Sequence, residues 1–349
     1  IGLMGAPCGD IQRLARDLTE HLKDLKLGYI DARHGNDSSP TLTNCSLQWI
    51  QEPEGFIAQS KESWSAFNMR SQTQQADLCL INGNHFESAK QVVILHPAKL
   101  ESLQRKLDRL NNILVFVCHG VSEIPEFVKE ACPSWSTIPV IDFDESGLIA
   151  QYIRTSLKTP LLKGLVLAGG KSTRMGTDKG KLVYHQKTQR EHMFGLLSPY
   201  CSEVYTSCRE DQVAELAEFN PLPDRMIGMG PFGAICTAFM HDPEAAWLVV
   251  ACDLPLLDDS CVAQLYQERS TTKVATAFLS PDTGFPEPLV AIWEPRSYSR
   301  LLQFLSQGYS CPRKVLINSA VKLIVANDPR CLSNVNTPAE LQQFGGKVL

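Results

Sequence analysis

Apolar positions along the first part of the chain follow two periods in alternation. After a glycine-bearing turn from Gly5 to Gly9, Ile11, Leu14, Leu18, Leu22 and Leu25 recur at spacings of three and four with charges between them. That is the period of an amphipathic helix. Leu27 to Ile30 is a short strand-like run, and the polar stretch from His34 to Asn44 reads as loop. Ala76 to Ile81 (ADLCLI) and Lys90 to Leu95 (KQVVIL) have the continuous apolar character of buried strands. Leu100 to Leu110 returns to the helical period, and Ile113 to Cys118 (ILVFVC) is another buried strand. Strands alternating with helices imply a parallel sheet covered on both faces.

The pattern resets around Arg154 to Lys163 (RTSLKTPLLK), where Pro160 precedes a new strand, Gly164 to Ala168, and a second strand, glycine turn and helix. The expected organisation is therefore two α/β domains, residues 1–157 and 158–349, each a mostly parallel sheet flanked by helices. Neither internal repeats nor low-complexity tracts interrupt it.

Composition narrows the class. A chain of 349 residues with 44% hydrophobic and 20% charged residues holds ample material for two packed cores. The net charge of −5 argues against a general nucleic-acid binder. Apolar runs such as Ala245 to Cys252 fall well short of the roughly 20 residues a membrane helix needs. The start, IGLMGAPCGD, lacks the charged opening and long apolar core of a signal peptide, and it lacks an initiator Met, which suggests slight trimming. Among 12 cysteines the closest pair, Cys201 and Cys208, is seven apart, and no C-x-x-C occurs. The 8 histidines form no H-x-x-x-H pattern. Reduced thiols acting as small core hydrophobes, in a cytoplasmic protein, are the expectation.

Leu165 to Lys179 (LVLAGGKSTRMGTDK) carries the clearest chemistry. A strand runs into Ala168, Gly169 and Gly170, and Lys171, Arg174, Lys179 and Lys181 follow within eleven residues, offset only by Asp178. Glycines let backbone approach a ligand closely, and successive N–H groups form an anion-binding nest. Lys and Arg add the fixed positive charge a triphosphate needs. The segment is neither a Walker A loop nor a G-x-G-x-x-G turn. Downstream, Asp253 closes the apolar run LVVAC, and ligands of open α/β sheets bind beyond the carboxyl ends of strands. A carboxylate there suits Mg²⁺, which takes one or two carboxylates plus phosphates and waters. A turn or helix-capping role is the plainer alternative for Asp253, for Asp224 after Pro223, and for Asn334 and Asn336 ahead of Pro338.

Leu167, Ala168, Gly169, Gly170, Ser172, Arg174, Met175, Gly176, Asp178 and Lys179 together resemble the L-A-G-G-x-S-x-R-M-G-x-D-K signature of the molybdenum cofactor guanylyltransferases. These belong to a nucleotidyltransferase superfamily with a Rossmann-like sheet. The resemblance runs through residues 158–349: Asp224 with Gly230 to Ile235 (GPFGAI), Trp247 to Pro255 (WLVVACDLP), Pro286 to Trp293 (PEPLVAIW), Ser310 with Arg313, and Asn334 to Leu341 (NVNTPAEL).

The resemblance implies transfer of GMP from GTP to the terminal phosphate of molybdopterin, with Mg²⁺ and release of pyrophosphate. It implies nucleotide binding by Leu167, Ala168, Gly169, Gly170, Lys179, Thr206, Asp224 and Asp253. Catalytic roles would fall to Lys179, Arg174 and Asp253, with Asp253 as the metal ligand. Ser310, Arg313, Asn334 and Asn336 would bind the acceptor. Molybdoenzymes or other molybdenum cofactor biosynthesis proteins are the implied partners, with neither nucleic acid nor membrane. Cytidylyl transfer to molybdopterin or another phosphorylated acceptor, and non-catalytic nucleotide binding, stay open. Gly170 leans toward guanine, since cytidylyl relatives more often carry L-A-A-G. Intact Lys179 and Asp253 lean toward catalysis.

In the first half, Glu62-Ser63-Trp64 and Ala76-Asp77-Leu78 leading to Asn82-Gly83 resemble the small P-loop GTP-binding adaptor of molybdopterin guanine dinucleotide synthesis. Its loop is degenerate. With Gly9 as the second loop glycine, Met4 replaces the first, Asp10 replaces Lys and Ile11 replaces Ser/Thr. Asp repels phosphate and Ile cannot hold Mg²⁺. A non-hydrolysing relative, or an unrelated α/β module, is expected.

Overall fold

The computed structural model describes residues 1–32, 47–52, 55–60, 73, 76–168, 182–184, 187–333 and 347–348. The polar loop expected at His34–Asn44 and the Glu62–Trp64 motif lie outside them. The chain divides into two compact units, Ile1–Lys158 and Thr159–Leu349.

Unit 1 begins with β1 (Gly2–Met4), α1 (Cys8–His21) and β2 (Leu27–Ile30). A hairpin of β3 (Leu47–Glu52) and β4 (Gly55–Ser60) follows, then β5 (Leu78–Asn82), β6 (Gln91–Leu95) and α2 (Leu100–Gln104). β7 (Ile113–Cys118), α3 (Glu126–Ala131), β8 (Val140–Asp142) and α4 (Ser146–Thr155) complete it. The six-stranded sheet has the order β2-β5-β1-β6-β7-β8, and every pairing in it is parallel. Strands buried on both sides explain the continuous apolar runs. Val92, Ile94, Val115 and Val117 pack with α1 and α4 on one face, while Val93, Leu95 and Phe116 pack with α2 and α3 on the other.

Two helices end sooner than their periodicity indicates. α1 stops at His21, not Leu25, because Arg154 reaches in from α4: its Nη2 donates to the His21 carbonyl while both terminal nitrogens pair with Asp24. The helical run to Leu110 breaks after Gln104 into a 3₁₀ turn at Leu107–Arg109. There the Gln91 side chain donates to the Arg109 carbonyl and accepts from the Asn111 amide, fixing the chain in a non-helical path. Gly5 sits at φ +93°, and a Cβ there would press on the Ile94 carbonyl, so the β1–α1 turn requires glycine.

Unit 2 opens with β9 (Leu162–Leu167), β10 (Leu182–Tyr184), β11 (Lys187–Thr188) and α5 (Gln189–Leu197). β12 (Val204–Cys208), β13 (Pro221–Pro223), α6 (Gly230–His241), β14 (Ala246–Ala251) and α7 (Asp259–Gln267) follow. The remainder is β15 (Ala275–Leu279), β16 (Pro286–Trp293), α8 (Arg296–Ser306), α9 (Pro312–Ile317), β17 (Val321–Ile324) and β18 (Lys347–Val348). The main sheet, β13-β12-β9-β14-β16-β15-β17, is parallel except for β16, which runs against both its neighbours. β14 is the central strand and all six of its residues are buried. α5 and α7 cover one face, and α6, α8 and α9 the other. A small antiparallel sheet, β11-β10-β18, stands apart from the main one.

The expectation of reduced thiols throughout needs correction. Cys261, at the start of α7, is joined by a disulfide to Cys331, 70 residues later, with Cα atoms 6.7 Å apart. Both belong to one core cluster, and a contact this distant in sequence leaves no spacing signal. Cys208, Cys236 and Cys252 are buried and outside any disulfide among the described residues, as small core hydrophobes are.

Candidate active site

Parallel strands deliver their carboxyl ends to one edge of the unit 2 sheet, and three candidate residues follow those ends directly. Ala168 follows β9, Asp224 follows β13, and Asp253 stands two residues past β14. Leu167, the last residue of β9, is half-buried against the core, and Ala168 is buried, its amide donating to the Ser207 carbonyl at 3.3 Å. Gly169, Gly170, Arg174 and Lys179 lie outside the described residues, as do Asn334 and Asn336.

The reversed strand completes the site. Val250 of β14 pairs with Val290 of antiparallel β16, so the beginning of β16 lies beside the end of β14. Asp253 therefore shares a cavity of about 160 Å³ with Glu287, Leu289 and Arg313, the last from the first turn of α9. Arg313 Nη2 donates to Glu287 Oε2 at 3.0 Å. The buried Arg313 Nε has no hydrogen-bond partner among the described residues. Pro312 opens α9 without harm, because the first helical position has no amide to satisfy. The cavity thus presents a carboxylate and a guanidinium to one small volume.

The loop carrying Asp253 is fastened from α5. Fully buried Gln189 donates Nε2–H to the Leu254 carbonyl at 3.0 Å, and His192 Nε2 meets the Leu257 carbonyl at 3.1 Å. α5 is itself fixed by a capping box, in which Thr188 accepts from the Glu191 amide and the Glu191 carboxylate accepts from the Thr188 amide. Asp224 accepts from the Ser207 hydroxyl at 2.8 Å, and its amide donates to the Cys208 carbonyl. Burial raises the Asp224 carboxyl above the ordinary aspartate range, opposed by that Ser207 bond. Beyond Asp224 the chain turns through Gly228 and Gly230, both at positive φ, into α6. Gly233 packs so closely on the Met226 carbonyl that no side chain fits, which accounts for the GPFG spacing.

Two sequence assignments do not reach this edge. Thr206 lies inside β12, opposite Val166, fully buried and with its hydroxyl unpartnered among the described residues. The strand ends two positions later, so Ser207 meets Asp224 while Thr206 faces the interior. Ser310 is exposed ahead of α9 and does not line the cavity that holds Arg313. Glu287 and Gln189 are the residues sequence reasoning missed. Their partners are 26 and 65 residues away, beyond the reach of any local pattern.

The family model for a MobA-like NTP transferase domain matches residues 164–322. The molybdenum cofactor biosynthesis bifunctional protein of Synechocystis sp. is 34% identical over 189 residues, which cover 54% of this chain and 54% of that protein. The match thus spans about half the length of that relative. The molybdenum cofactor guanylyltransferase of Photobacterium profundum is 31% identical over 189 residues, covering 52% of this chain and 94% of that protein. Among solved structures, molybdopterin-guanine dinucleotide biosynthesis protein A from Archaeoglobus fulgidus is 24% identical, with a TM-score of 0.45, covering 52% of this chain and 96% of that one.

Proposed function

The chain belongs to the molybdenum cofactor guanylyltransferase family through its second unit, and we propose that this unit transfers GMP from GTP to the terminal phosphate of molybdopterin, releasing pyrophosphate. One observation supports the reading above the others: Asp253, at the carboxyl end of the central strand, shares its cavity with Arg313. An anionic nucleotide and an anionic acceptor must meet in this reaction, and the site offers one group suited to each.

In this reading the nucleotide lies over the ends of β9, β12 and β13, with the Ala168–Gly170 backbone and Asp224 as its contacts. Lys179 and Arg174 face the triphosphate and stabilise the charge that develops on departing pyrophosphate. Arg313, with Asn334 and Asn336, receives the acceptor. Glu287 holds the Arg313 guanidinium in place, leaving its other N–H groups for a phosphate. Phosphate attacks phosphorus in line and is already an anion, so the chain supplies no general base and acts by positioning. Asp253, a half-buried carboxylate beside phosphate-binding groups, fits the donor set of Mg²⁺. When bound, that ion neutralises phosphate oxygens.

Calorimetric titration of the full-length protein with the four nucleoside triphosphates and Mg²⁺ tests the base assignment. GTP is expected to bind most tightly, and tighter binding of CTP would replace the guanylyl reading with a cytidylyl one.

A further inference from the structure

The carboxyl edge of the unit 1 sheet holds a second cluster, which plays no part in the reading of unit 2. Asp10 stands in the first turn of α1, His96 directly follows β6, and His119 directly follows β7. β1, β6 and β7 are consecutive parallel neighbours, so the residues after them meet above one edge. His96 Nε2 lies 3.7 Å from Asp10 Oδ2, and His119 Nε2 lies 3.7 Å from Asp10 Oδ1. The three donor atoms all fall within 4.8 Å of one another. Each side chain is half-buried, between 20% and 27% exposed, which leaves a path for an ion and shields it once bound.

We propose that Asp10, His96 and His119 form a binding site for a divalent transition ion of the zinc class, built where a phosphate-binding loop would otherwise hold a nucleotide. Two imidazole nitrogens and one carboxylate are the donors of borderline ions such as Zn²⁺; Mg²⁺ and Ca²⁺ take oxygen alone. In a tetrahedral zinc site with bonds of about 2.0–2.1 Å, donor atoms stand roughly 3.3 Å apart. The two 3.7 Å gaps run to different oxygens of Asp10; with one atom from each residue the donors lie within 4.8 Å of one another, so the farthest pair draws in by up to about 1.5 Å on binding. Three protein donors leave the fourth position to water or a ligand. His119 is held for the task by stacking on Phe143, with ring centroids 4.1 Å apart.

The cluster already attracts a cation. Arg13 Nη2 lies 3.4 Å from His119 Nε2 and 3.7 Å from Asp10 Oδ1, with its guanidinium over the Phe143 ring. The Arg13 side chain is 47% exposed, so it can swing into water when an ion takes its place. His96 Nδ1 accepts from the Ala98 amide at 3.1 Å. Ligation through Nε2 moves the ring proton to Nδ1 and gives up that single contact in exchange for a metal–nitrogen bond. Asp10, the residue that makes the loop hostile to phosphate, is thereby the anionic ligand that makes it receptive to a cation.

The test uses the full-length protein stripped of metal by a chelator and titrated calorimetrically with Zn²⁺. One equivalent per chain is expected. His96→Ala and His119→Ala should each weaken it roughly tenfold or more, since even outer-shell partners of a zinc ligand are worth 10–100-fold. His96→Gln and His119→Gln keep more side-chain bulk and give the same reading should an alanine variant misfold, with circular dichroism as the check. Co²⁺ in place of Zn²⁺ should give visible absorption that the histidine variants lose. Absence of micromolar Zn²⁺ binding by the wild type, or undiminished binding in folded variants of both histidines, overturns the site.

Discussion

Burial of Asp224 sets its function against its stability. Its carboxyl is raised by desolvation, against the Ser207 hydroxyl bond, so the folded state favours the neutral form more than the unfolded chain does. A carboxyl raised in this way contributes stability as pH falls through its folded pKa and loses it on the alkaline side. Asp224→Asn keeps an acceptor for Ser207 and removes the charge. The variant should melt above the wild type at neutral pH, with the gap shrinking as the solution is acidified, and should bind GTP more weakly. A lower melting temperature at neutral pH counts against this account. Asp253→Ala should abolish transfer with unchanged circular dichroism, because the half-buried carboxylate serves the cavity and not a core. Retained turnover, or unfolding, makes Asp253 structural. Lys179→Ala removes one charge-assisted phosphate contact and should cost about 1.5–3 kcal/mol, roughly 10- to 150-fold in rate.

At the scale of elements, the site depends on how α5 holds the loop that follows β14. Gln189→Leu removes one of two donors to the buried Leu254 carbonyl, the Leu257 amide remaining, which should cost about 0.5–1.5 kcal/mol of stability. It should also lower kcat more than it raises the KM for GTP, because Asp253 shifts while the nucleotide contacts on β9 and β13 stay. Denaturant melts and steady-state kinetics on one preparation separate the two effects, and a variant with wild-type kinetics removes Gln189 from the positioning of the loop. The same elements mark what a sequence discloses. β7 matches its apolar run residue for residue, because a strand inside a sheet covered on both faces needs apolar side chains along its length, and β2 matches its run although it is an edge strand with Tyr29 exposed. Asp253 was legible as a candidate because it follows the end of such a run, and Asp224 through the family resemblance that begins at Pro223. Glu287 was not, since only the reversal of β16 brings its beginning to the carboxyl edge. Thr206 lies inside β12, and nothing in the run VYTSC tells the interior of the strand from its end. The β3–β4 hairpin escaped notice because its strands mix Gln and Glu with apolar residues and form no continuous run.

For the molecule as a whole, each unit begins with a strand of its parallel sheet, but α1 follows β1 directly in unit 1, whereas β10 and β11 come between β9 and α5 in unit 2. Unit 2 has the chemistry of a nucleotide site, and the P. profundum relative is spanned over 94% of its length by a match to 52% of this chain. That proportion sets the expectation that unit 2 binds nucleotide on its own. Under the P-loop resemblance expected for unit 1, Ile11 would stand where a Mg²⁺-binding hydroxyl belongs, and it is fully buried in the core. The position of the phosphate-binding lysine is Asp10, a carboxylate held against His96, His119 and Arg13. In that resemblance, Asp10 would supply repulsion where a working loop supplies attraction to phosphate. Residues 159–349 produced alone should therefore retain GTP binding with the affinity of the full chain, and residues 1–158 should neither bind nor hydrolyse it. Calorimetry counts the sites directly: one triphosphate per full-length chain is expected. Two per chain, or phosphate release by residues 1–158, means that the first turn of α1 handles nucleotide despite Asp10.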